Sequence, residues 1–291
     1  MKDTLVLLCN PARPVLDTGT VQSAIEILRA SGAEVGTADW LAADIACEIP
    51  FEGGERLEFG MAGIDAVIVP SAGRRKKLLV ADMESTVIEN EMLDELADFL
   101  GLREKIAGIT TRAMNGEIGF EGALNERVAL LKGLPVARLD EAARRIRYMP
   151  GAATLVATLQ QHGAYCALVS GGFTYFTAMV RERLRFDSDA ANRLAVSGGT
   201  LAGTVEPPIL GKEAKLATLR KLAGERGIGI ADAVAVGDGA NDLPMLKAAG
   251  LGVAFRAKPA VAAEVRARIN HGDLTALLYL QGYRRSEFVE E

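Results

Sequence analysis

Apolar and polar positions along this chain fall into two textures. Over the first 70 residues, short apolar runs alternate with polar breaks. "TLVLLCN" (4–10) reads as a strand, "TGTVQSAIEILRASG" (18–32) as an amphipathic helix stopped by Gly32, and "AEVGTADWL" (33–41) as a second strand. "DIACEIPFE" (44–52) and "DAVIVPS" (65–71) read as further strands. The pattern predicts a small α/β unit, rich in β-α-β, over residues 1–72. From Lys77 onward the texture changes to strand–loop–helix repeats. "KLLVAD" (77–82), "YCALVSGG" (165–172), "AVAVGDGAND" (233–242) and "LGVAF" (251–255) are continuous apolar runs, as expected of parallel strands covered on both faces. Helical stretches such as "AATLVATLQQHG" (152–163) and "FTYFTAMVRERL" (173–184) lie between them.

Residues 73–291 therefore read as a doubly wound, Rossmann-like parallel sheet, and the whole chain as an α/β protein. Glu89 to Met149 is helical in period almost throughout, too long for one crossover, and predicts a helical cap inserted at about 89–149. "NRLAVSGGTLAGTVE" (192–206) alternates on both sides of Ser-Gly-Gly, a β-hairpin pattern.

Polar and glycine-rich residues collect at the C-terminal ends of the core strands, where open α/β sheets place their sites. The first strand ends in Asp82, Glu84, Ser85 and Thr86. The second ends in Ser170, Gly171 and Gly172, and the third in Gly237, Asp238, Gly239, Asn241 and Asp242. Lys215 lies in the helix before the third strand. Each feature alone has a plain structural reading: an Asp or Ser at a strand end as a helix cap, Ser-Gly-Gly as a turn. Together they form a set of acids with one lysine, a hydroxyl and exposed amides. That set suits a hard divalent cation and phosphoryl chemistry, with a carboxylate as nucleophile and a second acid moving the proton. Ser170, the amide after it and Lys215 would neutralise the phosphoryl oxygens.

Composition narrows the class. The chain has 291 residues, 49% hydrophobic and 24% charged, with a net charge of −5. No basic face argues for nucleic acid. The densest basic run, "GRRKKLL" (73–79), reads as a solvated linker. No run approaches the roughly 18 apolar residues of a membrane span, and "MKDTLVLLCNPARP" lacks the pattern of a signal peptide. Cys9, Cys47 and Cys166 share no metal-like spacing and sit in apolar stretches, which predicts three buried thiols and a reducing, cytoplasmic setting. His162 reads as a surface residue at a helix end, and His271 as part of a turn.

The order of "DMEST", "VSGGF", Lys215 in "EAKLATLRKLA" and "GDGANDLPM" is similar to that of the haloacid dehalogenase superfamily of aspartate-nucleophile phosphatases. From about Lys77 the chain resembles the phosphoserine phosphatase branch. The resemblance implies Asp82 as nucleophile and Glu84 as acid/base. It implies Mg²⁺ held by Asp82, the main-chain carbonyl of Glu84, Asp238 and Asp242. Ser170, Gly171, Lys215 and Asn241 would bind the phosphate. In the cap, Glu91 would meet the ammonium of a serine moiety, Arg127 its carboxylate, and Phe120 would close the site. The implied partner is a small-molecule substrate, O-phosphoserine, and the sequence leaves both a monomer and a homodimer open. An ACT-like, amino-acid-binding module is implied for residues 1–72. One departure stands out: the superfamily has Asp where this chain has Glu84. Two other readings stay open, a same-fold phosphatase of another small phosphomonoester and a catalytically weak amino-acid sensor.

Overall fold

The computed structural model describes residues 1–54, 59–114 and 117–290. The first sheet is built from β1 (Asp3–Cys9), β2 (Glu34–Val35), β3 (Asp39–Ala42), β4 (Ala46–Glu52) and β5 (Ile64–Pro70), in the order β2-β4-β1-β5 with β3 also on β4. Its helix α1 (Thr18–Ala30) starts where the Asp17 carboxylate accepts the Thr20 N–H at 2.7 Å, an N-cap. The β-α-β texture does not produce parallel pairing here. β1 is antiparallel to both β4 and β5, and α1 leads to an edge strand rather than to a neighbour of β1. The segment expected as one strand at 33–41 is broken in two around Gly36. Both pieces run along β4, and Gly36 fits tightly against it, its N–H donating to Pro50 O at 2.8 Å.

Both faces of the central strand β1 are buried. Leu5, Leu7, Cys9, Cys47 and Ile49 pack with Val21, Ala24 and Leu28 of α1. On the other face Val6, Leu8, Ala46, Val67 and Val69 join the core of the larger part of the chain.

The second sheet carries the strand ends of interest. Its strands are β6 (Leu78–Ala81), β7 (Tyr165–Phe173), β8 (Ser188–Ser197), β9 (Thr200–Glu206), β10 (Ala233–Gly237), β11 (Leu251–Phe255) and β12 (Ala267–Ile269), ordered β12-β11-β10-β6-β7-β8-β9. Among the described residues all neighbours are parallel except β8 and β9, which form a hairpin turning at Gly198 and Gly199, both with positive φ. The α/β sheet expected from the apolar runs is thus present, with an antiparallel edge. The third apolar run leaves the sheet at Gly237, so "DGAND" is loop, and the three-residue β12 carried too short a run to be read in advance.

Alternation within each strand feeds two layers. Leu78, Val80, Val169, Ala233 and Ala235 face α8 (Lys212–Glu225) and α9 (Leu243–Ala248). Leu79, Ala81, Leu168, Val234 and Val236 face the opposite core, with α6 (Ala152–Gln161) and α7 (Thr174–Leu184). The chain closes with α10 (Pro259–Ala262) and α11 (Ala276–Leu280). α11 is buried and packs between β1 of the first sheet and α6, which covers the second.

Between β6 and α6 the chain leaves the sheet and returns through α2 (Met92–Asp98), α3 (Arg103–Met114), α4 (Phe120–Ala129) and α5 (Ala137–Ala143). The two connections run antiparallel. Glu89 N–H donates to Arg147 O at 2.8 Å, and Met149 N–H to Val87 O at 2.9 Å. The basic run 73–79, expected as a solvated linker, is instead anchored in the protein. Arg74 is largely buried, and its guanidinium donates to Leu280 O, to Tyr279 O and to the Glu48 carboxylate at 2.6 Å. The last carbonyls of α11 have no intrahelical donor there, and Arg74 supplies one. Arg75 lies over the Tyr283 ring, 4.1 Å from its centroid.

Candidate active site

Strand order decides which side chains meet. β6 lies between β7 and β10. The chain runs outward from β6 through β7 and β8, then returns to β10 and runs outward the other way through β11 and β12. That leaves a crevice at the C-terminal ends of β6 and β10. Asp82 stands at the end of β6 and is buried. Its Oδ1 accepts the Met83 N–H at 2.8 Å and faces Lys215 Nζ at 2.6 Å. Lys215 projects from α8 and also donates to Asp242 Oδ1 at 2.6 Å. Asp242 is tucked back under its own loop: Oδ2 accepts the Gly239 N–H at 3.0 Å, and its carboxyl fills the space a side chain at Gly237 would need. That is why the loop reads Gly-Asp-Gly. Asp238 completes the set, and one carboxylate oxygen from each of Asp82, Asp238 and Asp242 lies within 4.8 Å of the others.

Lys215 pairs with two of the three carboxylates, Asp82 and Asp242, and the acidity of the set records the crowding. Burial and the nearby Asp242 push Asp238 up to about 6. Asp82 is also raised, by burial first and then by Asp242, with Lys215 pulling the other way. Lys215 is held in its charged form by Asp82 and Asp242 against the effect of its burial. All donors are hard oxygens, so this arrangement fits a divalent metal ion.

Glu84 sits across the crevice. Its Oε1 accepts the Met92 N–H at 2.8 Å, and its Oε2 lies 3.4 Å from the Ser170 hydroxyl. Burial, then repulsion from Glu91, push its carboxyl up to about 7. Ser170 is buried at the end of β7, and its Oγ also accepts the Gly172 N–H at 2.9 Å. Asn241 lies by Gly171, its Nδ2 3.9 Å from where a Cβ on that glycine would stand.

The cap supplies the roof. Phe120 and Arg127 are seven residues apart on α4, two turns, so both face the same way. The Phe120 ring edge lies 3.4 Å from the Cβ position of Gly171. Arg127 is anchored by Ala123 O at 3.2 Å and Thr110 Oγ1 at 3.5 Å. Burial pulls its pKa below the ordinary guanidinium value, opposed by the carboxylates of Glu84, Glu91 and Asp94. Glu91 is exposed, just before α2, and its Oε1 accepts the Ser85 hydroxyl at 2.7 Å.

With this geometry in view, residues 79–247 match the family of haloacid dehalogenase-like hydrolases. The chain belongs to that family. A phosphoserine phosphatase of Lactococcus lactis is 43% identical to this hydrolase over 203 residues, covering 70% of this chain and 94% of that one. A phosphoserine phosphatase of Streptomyces coelicolor is 40% identical over 232 residues, covering 79% of this chain and 57% of that one. Against the longer curated relatives, then, the aligned part spans little more than half of their length. Among solved structures, a haloacid dehalogenase family hydrolase of Salmonella enterica serovar Typhi superimposes with a TM-score of 0.84 at 29% identity, over 96% of this chain and 98% of that one.

The fold of this hydrolase brings the residues expected to act on phosphate, metal or the serine moiety to one crevice or to the roof above it. Asp82, Lys215, Asp238 and Asp242 form its floor, Glu84, Ser170, Gly171 and Asn241 its wall, and Glu91, Phe120 and Arg127 the cap side. Three participants carried no signal strong enough to be given a role. The Met92 N–H is backbone, which any residue type supplies. Ser85 stood among the strand-end groups, but its bond to Glu91 depends on a left-handed turn, φ 56°, uncommon outside glycine. Thr86 is fully buried, and its hydroxyl has no partner among the described residues. No helix of the described residues is long and apolar enough to cross a membrane.

Proposed function

We propose that this haloacid dehalogenase-like hydrolase removes phosphate from O-phospho-L-serine, through an aspartyl-phosphate on Asp82, as a Mg²⁺-dependent, cytoplasmic enzyme of serine formation. The observation that carries the reading is a single crevice with the Asp82–Lys215–Asp242 cluster below and Arg127 and Glu91 above. Those two opposite charges match the carboxylate and ammonium of an amino acid. The phosphoserine phosphatases among its relatives support it.

Asp82, the carbonyl of Glu84, Asp238 and Asp242 would hold Mg²⁺. Bound there, the ion offsets the repulsion between a phosphate dianion and these carboxylates. Asp82 Oδ1 is engaged by Met83 N–H and Lys215, so the other oxygen attacks phosphorus. The P–O bond to serine breaks as Glu84, protonated, gives its proton to the leaving oxygen. Glu84 then takes a proton from water as that water attacks the aspartyl-phosphate. The P–O bond to Asp82 breaks and frees its carboxylate. A carboxyl poised near 7 suits both halves of that duty. Lys215, Ser170, the Gly171 amide and Asn241 hold the phosphoryl oxygens. Phe120 shields the site from bulk water. The same reading divides the chain at about residue 72, between an amino-terminal module and the phosphatase with its cap.

The test is Mg²⁺-dependent phosphate release from a panel of phosphomonoesters. Phosphoserine should be preferred, Asp82→Asn should be inactive, and Arg127→Ala should raise KM for phosphoserine far more than for p-nitrophenyl phosphate. Equal effects on the two substrates would move the reading to another small phosphomonoester. No turnover with Mg²⁺ would remove it.

A further inference from the structure

Glu84 reaches its position through space that exists because residue 172 has no side chain. Gly172 is buried next to the last residue of strand β7, and its φ lies outside the left-handed region, so the backbone itself does not demand glycine. A Cβ built there would stand 2.7 Å from Glu84 Oε2, 3.1 Å from its Cδ and 3.1 Å from Ser170 Oγ. The closest of these atoms is the far end of a flexible side chain, so the carboxylate would move rather than the fold. That movement has a consequence on the other side, because Glu84 Oε1 accepts the N–H of Met92, the first residue of cap helix α2. One carboxylate thus spans from the end of β7 to the start of the cap, resting on a bare backbone.

We propose that Gly172 is a positioning residue for Glu84, its missing side chain being the seat that admits an acid one methylene longer than aspartate. The proposal rests on the reading of Glu84 as the proton-transferring acid. It predicts that the identities of residues 84 and 172 are coupled. A shorter acid withdraws by about 1.5 Å and no longer needs the space.

The experiment is a double-mutant cycle on the full chain: wild type, Gly172→Ala, Glu84→Asp and the double variant, with kcat, KM and Tm measured for each. Gly172→Ala should lower kcat on the order of 10²-fold, the scale of a misplacement near 1 Å, with KM and Tm little changed. In the Glu84→Asp background the same alanine should change kcat little. Equal losses in both backgrounds, or no loss in either, would overturn the proposal. Should Gly172→Ala alone fail to fold, the double variant is expected to fold, since the conflict is with Glu84. Failure of both would overturn it as well. A second readout does not depend on turnover: the Met92 amide proton should lose its hydrogen-bonded downfield shift in Gly172→Ala. If wild type hydrolyses no phosphomonoester while that resonance moves, the functional reading fails and the positioning stands. If the resonance stays, the positioning fails.

Discussion

Lys215 Nζ lies 2.6 Å from Asp82 Oδ1 with both side chains buried, and the same nitrogen reaches Asp242 at the same distance. One cation therefore serves two fully desolvated acids. Removing one partner of such a group leaves uncompensated buried charge, which costs on the order of 3–5 kcal/mol. Lys215→Met should lose phosphatase activity and, in chelator, about that much stability in urea unfolding. Mg²⁺ should return part of the stability but not the activity. A variant as stable as wild type in chelator would show that the lysine does not neutralise the acids.

The acid floor should also make metal-free stability fall with rising pH. Asp238, at about 6 in the folded chain against 3.8 ordinarily, and Asp82, shifted the same way, bind more protons folded than unfolded across the window from about pH 4 to 6. Stability from these groups is present at low pH and is lost as pH rises through the folded values. Lys215 stays charged throughout and adds no slope there. Mg²⁺ binds the deprotonated carboxylates, so the Tm difference between Mg²⁺ and chelator should widen from pH 5 to pH 8. A difference that is constant, or larger at pH 5, would place the ion elsewhere.

Glu84→Asp separates metal binding from proton transfer. The side chain of Glu84 is occupied by Met92 N–H and Ser170, not by the Asp82–Asp238–Asp242 set. Mg²⁺ affinity, followed by titration calorimetry, should stay near that of wild type while kcat changes. A large change in affinity at unchanged kcat would refute this division of roles.

Besides the apolar contacts and the Arg74–Glu48 pair, one carboxylate fastens the first sheet to the second. Asp65 on β5, only 4% exposed, accepts the backbone N–H groups of Asn270 (2.8 Å), His271 (3.0 Å) and Gly272 (2.8 Å), just beyond β12. Buried amides left without an acceptor cost about 1–3 kcal/mol each. Asp65→Ala should therefore destabilise the chain by several kcal/mol as a single urea transition. Two separated transitions in wild type would show instead that the sheets unfold independently.

What could be read from sequence follows from how local each signal is. The runs at 77–82, 165–172 and 251–255 are strands because a strand buried on both faces must be apolar at every position. The acids, Ser170 and the Gly-Asp-Gly loop were visible because strand ends bring distant segments together in a known order. Arg74 was misread because its partners, the Tyr279 and Leu280 carbonyls, lie more than 200 residues away. Pairing in the first sheet was misread for a similar reason. An antiparallel neighbour and a parallel one leave the same apolar pattern in a short strand whose two faces are both covered. The reach of Glu84 to Met92 was invisible because a backbone N–H has no letter of its own.

The double burial of β1 has a further consequence for folding accuracy. In a sheet with one wet face, slipping a strand by one residue throws apolar side chains into water, and polarity alone forbids it. β1 offers no such safeguard. Leu5 and Leu7 on one side and Val6 and Leu8 on the other are nearly interchangeable, and a slipped strand would still be dry on both faces. Polarity enters opposite Leu8, where β5 carries Asp65. A one-residue slip of β5 would turn that carboxylate away from the 270–272 amides, so β5 is held in place and gives β1 a fixed partner. A group that looks like a structural pin between two sheets is thus also the proofreader of their alignment.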